Sequence, residues 1–210
     1  MPPPVFTIGH SIHTPKFFLQ LLQQHGINVL CDVRSSPYSK QNPQFNREVL
    51  KEFLRPHEIK YVFLGKELGA RSEDPVCYHE GKISYTRLAQ TELFQQGLDR
   101  IQKGLQENRV AMMCAEKEPL ACHRTILVTR HLVARGVAVR HILADGTLED
   151  HSDTLLRLAR MLRLRENEGH LFCSHEDQLA EAYTLQEARI AYEPEDSEPA
   201  YFPTQQSAAG

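Results

Sequence analysis

The chain predicts an α/β fold, a mainly parallel sheet of about five strands with helices on both faces, in the manner of a Rossmann-like three-layer sandwich. Three observations carry that expectation. Short apolar runs recur between segments of helical spacing, as βαβ units require. Val29, Leu30, Cys31 and Val33 make one run almost continuously apolar, as befits a strand covered on both faces. The runs end in turns rich in Gly, Ser, Pro and charge, which places polar residues at one edge of the sheet.

In order, Val5 to Ile8 reads as strand one, leaving through Gly9-His10-Ser11. Thr14 caps a helix whose first residue is Pro15; Phe17, Phe18, Leu21 and Leu22 form its apolar face and Gly26 ends it. Ile27 to Val33 is strand two, leaving through Arg34-Ser35-Ser36-Pro37. Asn46 caps a second helix through Leu54, and Tyr61 to Leu64 is strand three, closed by Gly65. Lys66 to Tyr85 lacks periodicity and reads as a lid or binding loop. Leu88, Phe94, Leu98, Ile101 and Leu105 mark one face of a third helix. Arg109 to Cys114 is strand four, and an apolar helix from Pro119 to Ala134 follows its exit turn. Val137 to Leu143 is strand five; Asp145-Gly146 turns it into a short antiparallel piece at Thr147 to Glu149. Ser152 or Asp153 caps a last core helix carrying Leu155, Leu158 and Leu162.

These elements assign residues 1–165 to one α/β domain and 166–210 to a C-terminal extension. Within the extension, 174–191 can form one helix with Leu179, Ala182 and Tyr183 facing inward. The Glu-, Pro-, Ser- and Gln-rich tail from Glu193 reads as disordered. At 41% apolar and 24% charged residues, the composition is that of an ordinary globular protein. A net charge of −3 gives no reason to expect bulk nucleic-acid binding or an anionic membrane as partner. No apolar run approaches the roughly 20 residues that span a bilayer. Five cysteines, odd in number and unevenly spaced, point to a reduced, cytoplasmic protein.

The chemistry concentrates at the strand exits. Cys114, Glu116, Cys122, His123 and Arg124 lie within eleven positions at the turn after strand four. His10 and Ser11 leave strand one, Asp32, Arg34 and Ser35 leave strand two, and Gly65 and Gly69 follow strand three. A parallel sheet brings all of these to its carboxyl edge, where open α/β folds bind ligands. Cys31 reads as core packing, and Cys77 and Cys173 as loop or surface thiols. Cys114 and Cys122 stand open between packing and function. Asp32 and Arg34, two apart on a strand, share a face and can pair with each other.

With those residues in view, the chain resembles the DUF488 family. The resemblance rests on Thr7-Ile8-Gly9-His10-Ser11, Asp32-Val33-Arg34-Ser35-Ser36-Pro37, Tyr61-Val62-Phe63-Leu64-Gly65-Lys66-Glu67-Leu68-Gly69, Cys114-Ala115-Glu116 and Cys122-His123-Arg124. It covers roughly residues 5–145. It implies a compact α/β domain, found chiefly in prokaryotes, without an agreed activity or substrate.

The residues point first to an enzyme acting on an anionic small molecule or nucleotide-like substrate, a hydrolase or transferase needing no cofactor. Cys114 or Cys122 is its nucleophile and His10 or His123 its general acid or base, with Asp32 and Glu116 beside them. Ser11, Ser35, Gly65 and Gly69 shape the binding side, and Arg34 and Arg124 jointly hold the anion. A thiolate-phosphatase or rhodanese-like loop is the nearest chemical analogy, but phosphatase activity is not assigned, because the Cys-x5-Arg spacing places Leu120 where arginine is needed. The alternative is a non-catalytic nucleotide- or nucleic-acid-binding module that stacks bases on Tyr38, Phe45 and Tyr78 and holds phosphates with Lys40, Arg47 and Arg71. A zinc site from Cys114, Cys122, His123 and His10 is not expected. No Cys-x-x-Cys pair is present, and on an ideal helix the adjacent Cys122 and His123 would point about 100° apart. The oligomeric state is not legible in the sequence.

Overall fold

The computed structural model describes residues 3–164 and 175–194. Its centre is a six-stranded sheet built from β1 (Val5–Gly9), β2 (Val29–Asp32), β3 (Lys60–Phe63), β6 (Val110–Cys114), β7 (Val139–Ile142) and β8 (Leu148–Asp150). Their order is β3-β2-β6-β1-β7-β8, and every pairing is parallel except β7 with β8. The sixth strand is the short antiparallel piece expected after Asp145-Gly146. Two further strands, β4 (Tyr78–His79) and β5 (Lys82–Ile83), pair as a small separate hairpin.

Side-chain alternation splits the core into two layers, as a period of two demands. Phe6, Ile8, Leu30, Ala111 and Met113 face α1 (Pro15–Gln24) and α2 (Arg47–Leu54). Val5, Val29, Cys31, Val110, Met112 and Cys114 share the other layer with α4 (Tyr85–Ala89), α5 (Glu92–Gly104), α6 (Arg130–Ala134), α7 (His151–Met161) and α8 (His175–Ile190). Cys31 is thus a core residue, as read from its place in the strand.

The chain leaves β1 toward β2 on one side and leaves β6 toward β7 on the other. Connections that diverge in this way open a crevice between the carboxyl ends of the two central strands. Gly9 pairs with Cys114 there, and Asp32 lies opposite Met113 on the other flank of β6.

Several local expectations change. Thr14 caps α1 as expected, its side chain accepting from Phe17 N. Asn46 precedes α2 but spends its side-chain oxygen on Ser39 N, holding the preceding loop instead of the helix. The helix after β8 begins at His151, so neither Ser152 nor Asp153 caps it. The third helix is two helices, α4 and α5, because Thr91 interrupts it and caps the second with its side chain. The aperiodic stretch from Lys66 to Tyr85 is ordered: it contains most of α3 (Gly65–Leu68), a 3-10 turn at Pro75–Cys77 and the β4–β5 hairpin. Cys77 is fully buried within it, not a surface thiol. In α8, Ala182 and Tyr183 are buried and Leu179 is partly buried against the core. Cys173 and most of the tail from Glu193 lie outside the described residues. Among the described residues, no helix is long and apolar enough to cross a membrane.

Candidate functional site

A cavity of about 500 Å³ opens at the carboxyl edge. Cys114, Ala115, Glu116 and His123 line it from the β6 exit, His10 from β1, and Arg34, Ser35, Ser36, Tyr38 and Ser39 from β2. Gln41, Asn42, Ala70, Arg71 and Tyr85 add further wall, and Ile190 and Tyr192 close it from the end of α8. Ser11, Asp32, Gly65, Gly69, Cys122 and Arg124, which the sequence placed at the site, are not in its lining. They build it from behind.

The expected helix from Pro119 does not form as one piece. A 3-10 turn at Pro119–Ala121 gives way to extended backbone at Cys122, with φ −139° and ψ 138°. Helix resumes as a wide π turn over Arg124–Thr129, whose first carbonyl, Arg124 O, also accepts from Thr129 Oγ1 at 2.7 Å. The Cys122 carbonyl accepts from Thr125 N and Ile126 N, and its sulfur accepts from Arg124 N at 3.4 Å. An extended residue that receives the first helical N–H groups in this way acts as an N-cap. Such π turns are frequent at functional sites. The divergence expected of Cys122 and His123 on a helix therefore does not arise.

Instead, the two thiols and the imidazole converge. Cys114 Sγ lies 3.8 Å and Cys122 Sγ 3.9 Å from His123 Nδ1. His123 Nε2 is 3.0 Å from Val33 O, which can only accept, so Nε2 carries the proton and Nδ1 faces the sulfurs. Cys122 Sγ stands 3.0 Å from Glu116 Oε2. Burial opposes ionisation of Cys122, but a hydrogen bond from Cys114, the Arg124 charge and His123 outweigh it and hold this thiol well below its ordinary range. Burial and the Cys122 charge push the Cys114 thiol well up. Burial, followed by Cys122, raises the Glu116 carboxyl. The more acidic thiol is therefore the one behind the cavity, while the thiol that faces it is the more reluctant to ionise.

Arg34 belongs to a private pair. Its Nε and NH2 donate to the two oxygens of Asp32 at 2.9 and 2.6 Å, and NH2 also donates to Phe45 O. Tyr61 OH donates to the same carboxylate at 2.6 Å. Arg34 NH1 donates to His10 Nε2 at 3.2 Å, while His10 Nδ1 donates to Ser11 O. Both imidazole nitrogens are engaged, and burial pushes His10 down to about 4, so it stands neutral and without a free nitrogen for proton transfer. Arg124 is fully buried and donates to the carbonyls of Glu116 and Lys117 at 2.7 and 3.4 Å. The joint anion clamp expected of Arg34 and Arg124 is not what the geometry builds. One guanidinium neutralises Asp32, and the other pins the loop that carries Glu116.

The glycines act through close approach. A Cβ at Gly9 would sit 1.9 Å from Glu116 O, and one at Gly65 1.9 Å from Arg34 O. Gly69 packs against Ser35 in the same way. Phe45 is buried and stacks on His10 at 4.4 Å, which removes it from any base-stacking surface. Arg47 covers Phe63, and Tyr78 OH donates to Ser72 O, so two more members of the expected nucleotide-binding set have internal partners. Arg71 lines the cavity and lies 4.2 Å over the Tyr192 ring. Tyr61, Tyr85, Ile190 and Tyr192 escaped the sequence reading of the site. Only Tyr61 had a visible signal, its place at the head of the Tyr61-to-Gly69 motif that carries the family resemblance.

The chain matches the family described as "Domain of unknown function DUF488" over residues 14–131, more than half its length. No curated protein and no solved structure matches it.

Proposed function

Since the chain belongs to the DUF488 family, whose description assigns no function, we propose one from the site itself: an enzyme acting on an anionic small molecule held in the carboxyl-edge cavity. The supporting observation is that Cys114, Glu116 and His123 line the same space as Arg71, Ser35, Ser36 and Ser39. A thiol, a carboxylate and an imidazole form a set suited to hydrolysis or group transfer. The guanidinium and hydroxyls opposite suit a phosphate or carboxylate. A volume of about 500 Å³ is that of a small-molecule site.

The test is a set of phosphorylated and carboxylated small molecules, scored by thermal stabilisation and then by turnover. At least one should bind saturably, and Arg71→Gln should weaken it about tenfold or more, as loss of a charge-assisted contact does. Turnover of that compound should fall with Glu116→Gln. Absence of saturable anion binding, or binding indifferent to Arg71, removes this reading. Affinity for single-stranded nucleic acid that declines steeply with salt would favour the binding module in its place.

A further inference from the structure

Cys114, Cys122 and His123 are arranged as a set of metal ligands. We propose that they bind one zinc ion whose fourth position opens into the cavity, a proposal that rests on that cavity being the active site. One donor atom from each of the three residues lies within 4.8 Å of the others. A tetrahedral zinc with Zn–S of about 2.3 Å and Zn–N of about 2.0–2.1 Å places sulfur about 3.6 Å from nitrogen. The two sulfur–nitrogen separations, 3.8 and 3.9 Å, exceed that by only a few tenths of an ångström.

The surroundings prepare each ligand. Val33 O accepts a hydrogen bond from His123 Nε2–H and so presents the Nδ1 lone pair to the sulfurs, as the outer partner of a metal-bound histidine does. Arg124 N donates to Cys122 Sγ, a bond that favours thiolate. A Cys114–Cys122 disulfide would use both sulfurs but leave His123 Nδ1 facing no donor. Two thiolates and an imidazole select a borderline-soft ion over magnesium or calcium. Three protein ligands with a fourth position open are the pattern of a catalytic rather than a structural zinc site. Glu116 lines the cavity beside that position and hydrogen-bonds Cys122. Binding through two thiolates would release to solvent whatever protons Cys114 and Cys122 carry, Cys114 foremost, and Glu116, beside the open position, would be placed to act as general base toward a water held there.

The full chain, reduced and stripped by a chelator, is titrated with cobalt(II) and then with zinc. We expect one equivalent of cobalt with thiolate-to-metal charge-transfer absorption, displaced by zinc. Cys114→Ser, Cys122→Ser and His123→Gln should each weaken cobalt binding by more than the about 10–100-fold that loss of an outer-shell partner costs. Cys31→Ser and Cys77→Ser should leave it unchanged. Should a ligand variant fail to fold, the parent still decides: zinc should protect Cys114 and Cys122, and not Cys77, against alkylation in mild denaturant. No cobalt spectrum and no such protection overturns the zinc site, as does quantitative Cys114–Cys122 disulfide formation with no metal uptake on reduction. If metal fails while Arg71-dependent anion binding persists, the enzyme reading survives without zinc. Stoichiometric metal with no anion binding keeps the three-ligand site and removes the enzyme reading beneath it.

Discussion

At the scale of single residues, the site depends on groups whose polar atoms are committed to partners inside the protein. Asp32 and Arg34 are 0% and 5% exposed, and the carboxylate is shared with Tyr61. Breaking a buried pair leaves the remaining charge uncompensated, at a cost of about 3–5 kcal/mol. Arg34→Gln should therefore lower the unfolding free energy by about that much in a urea titration. A loss below about 1 kcal/mol, typical of an exposed charge, would return Arg34 to the ligand-binding surface. Gly9 makes the complementary case. Its missing Cβ is the space occupied by the Glu116 carbonyl, so Gly9→Ala must displace the loop that carries Glu116. Overpacking of this kind costs about 1–3 kcal/mol. Chemical denaturation measures the cost, and metal titration of the same variant should show weaker binding. A variant with parental stability would mean that the loop yields freely.

At the scale of elements, one wall of the cavity comes from outside the family-matched segment. Ile190 ends α8 and Tyr192 lies two residues beyond it, far along the chain from residues 14–131. The element is well tied down: Gln186 Nε2 donates to Leu120 O, Glu187 Oε1 accepts from Tyr85 N, and Ile83 N donates to Tyr192 O. Replacing Ile190 and Tyr192 together by alanine should widen the cavity mouth with little effect on the sheet. In metal-free protein, Cys114 should then alkylate several-fold faster, while Cys31, whose thiol burial pushes up to about 12, should stay unlabelled. Equal Cys114 rates in parent and variant would show that the C-terminal wall does not govern access.

At the scale of the whole molecule, a buried polar chain joins the sheet to both late helices. Thr7 Oγ1 meets His141 Nδ1 at 2.7 Å, His141 Nε2 meets His151 Nδ1 at 3.1 Å, and His151 Nε2 meets Tyr183 OH at 2.8 Å. Two neutral rings satisfy this chain, each donating once and accepting once. Burial, against an opposing pull from Glu149, pushes His151 down to about 4. An unfolded histidine titrates at about 6.5, so the folded state prefers the neutral ring. The stability this gives is complete above pH about 6.5 and is lost as pH falls toward 4, because the unfolded chain takes up the proton first. Between pH about 7 and 4 the loss should be on the order of 2–3 kcal/mol, read from urea midpoints. His151→Gln should flatten that part of the profile. A variant that loses stability over the same range as steeply as the parent would place the acid sensitivity elsewhere.

The sequence by itself determined the fold class, the strand order along the chain and the edge on which chemistry collects. Hydrophobic period and glycine-marked turns are local properties, and a parallel sheet sends every strand exit to one side. It also exposed Asp32 and Arg34 as partners, since residues two apart on a strand share a face. Only the tertiary structure decided which of the edge residues face the cavity. Arg34 and Arg124 read alike in the sequence, but Asp32 neutralises one, and the carbonyls of Glu116 and Lys117 hold the other at 0% exposure. Cys122 and His123 could be brought to bear on Cys114 only by the break in the helix at Cys122, a backbone state that apolar periodicity does not record. Ile190 and Tyr192 reach the cavity through contacts between distant segments, and the pattern within each segment carries no trace of its partner. Local patterns specify elements, whereas the site is set by which elements meet.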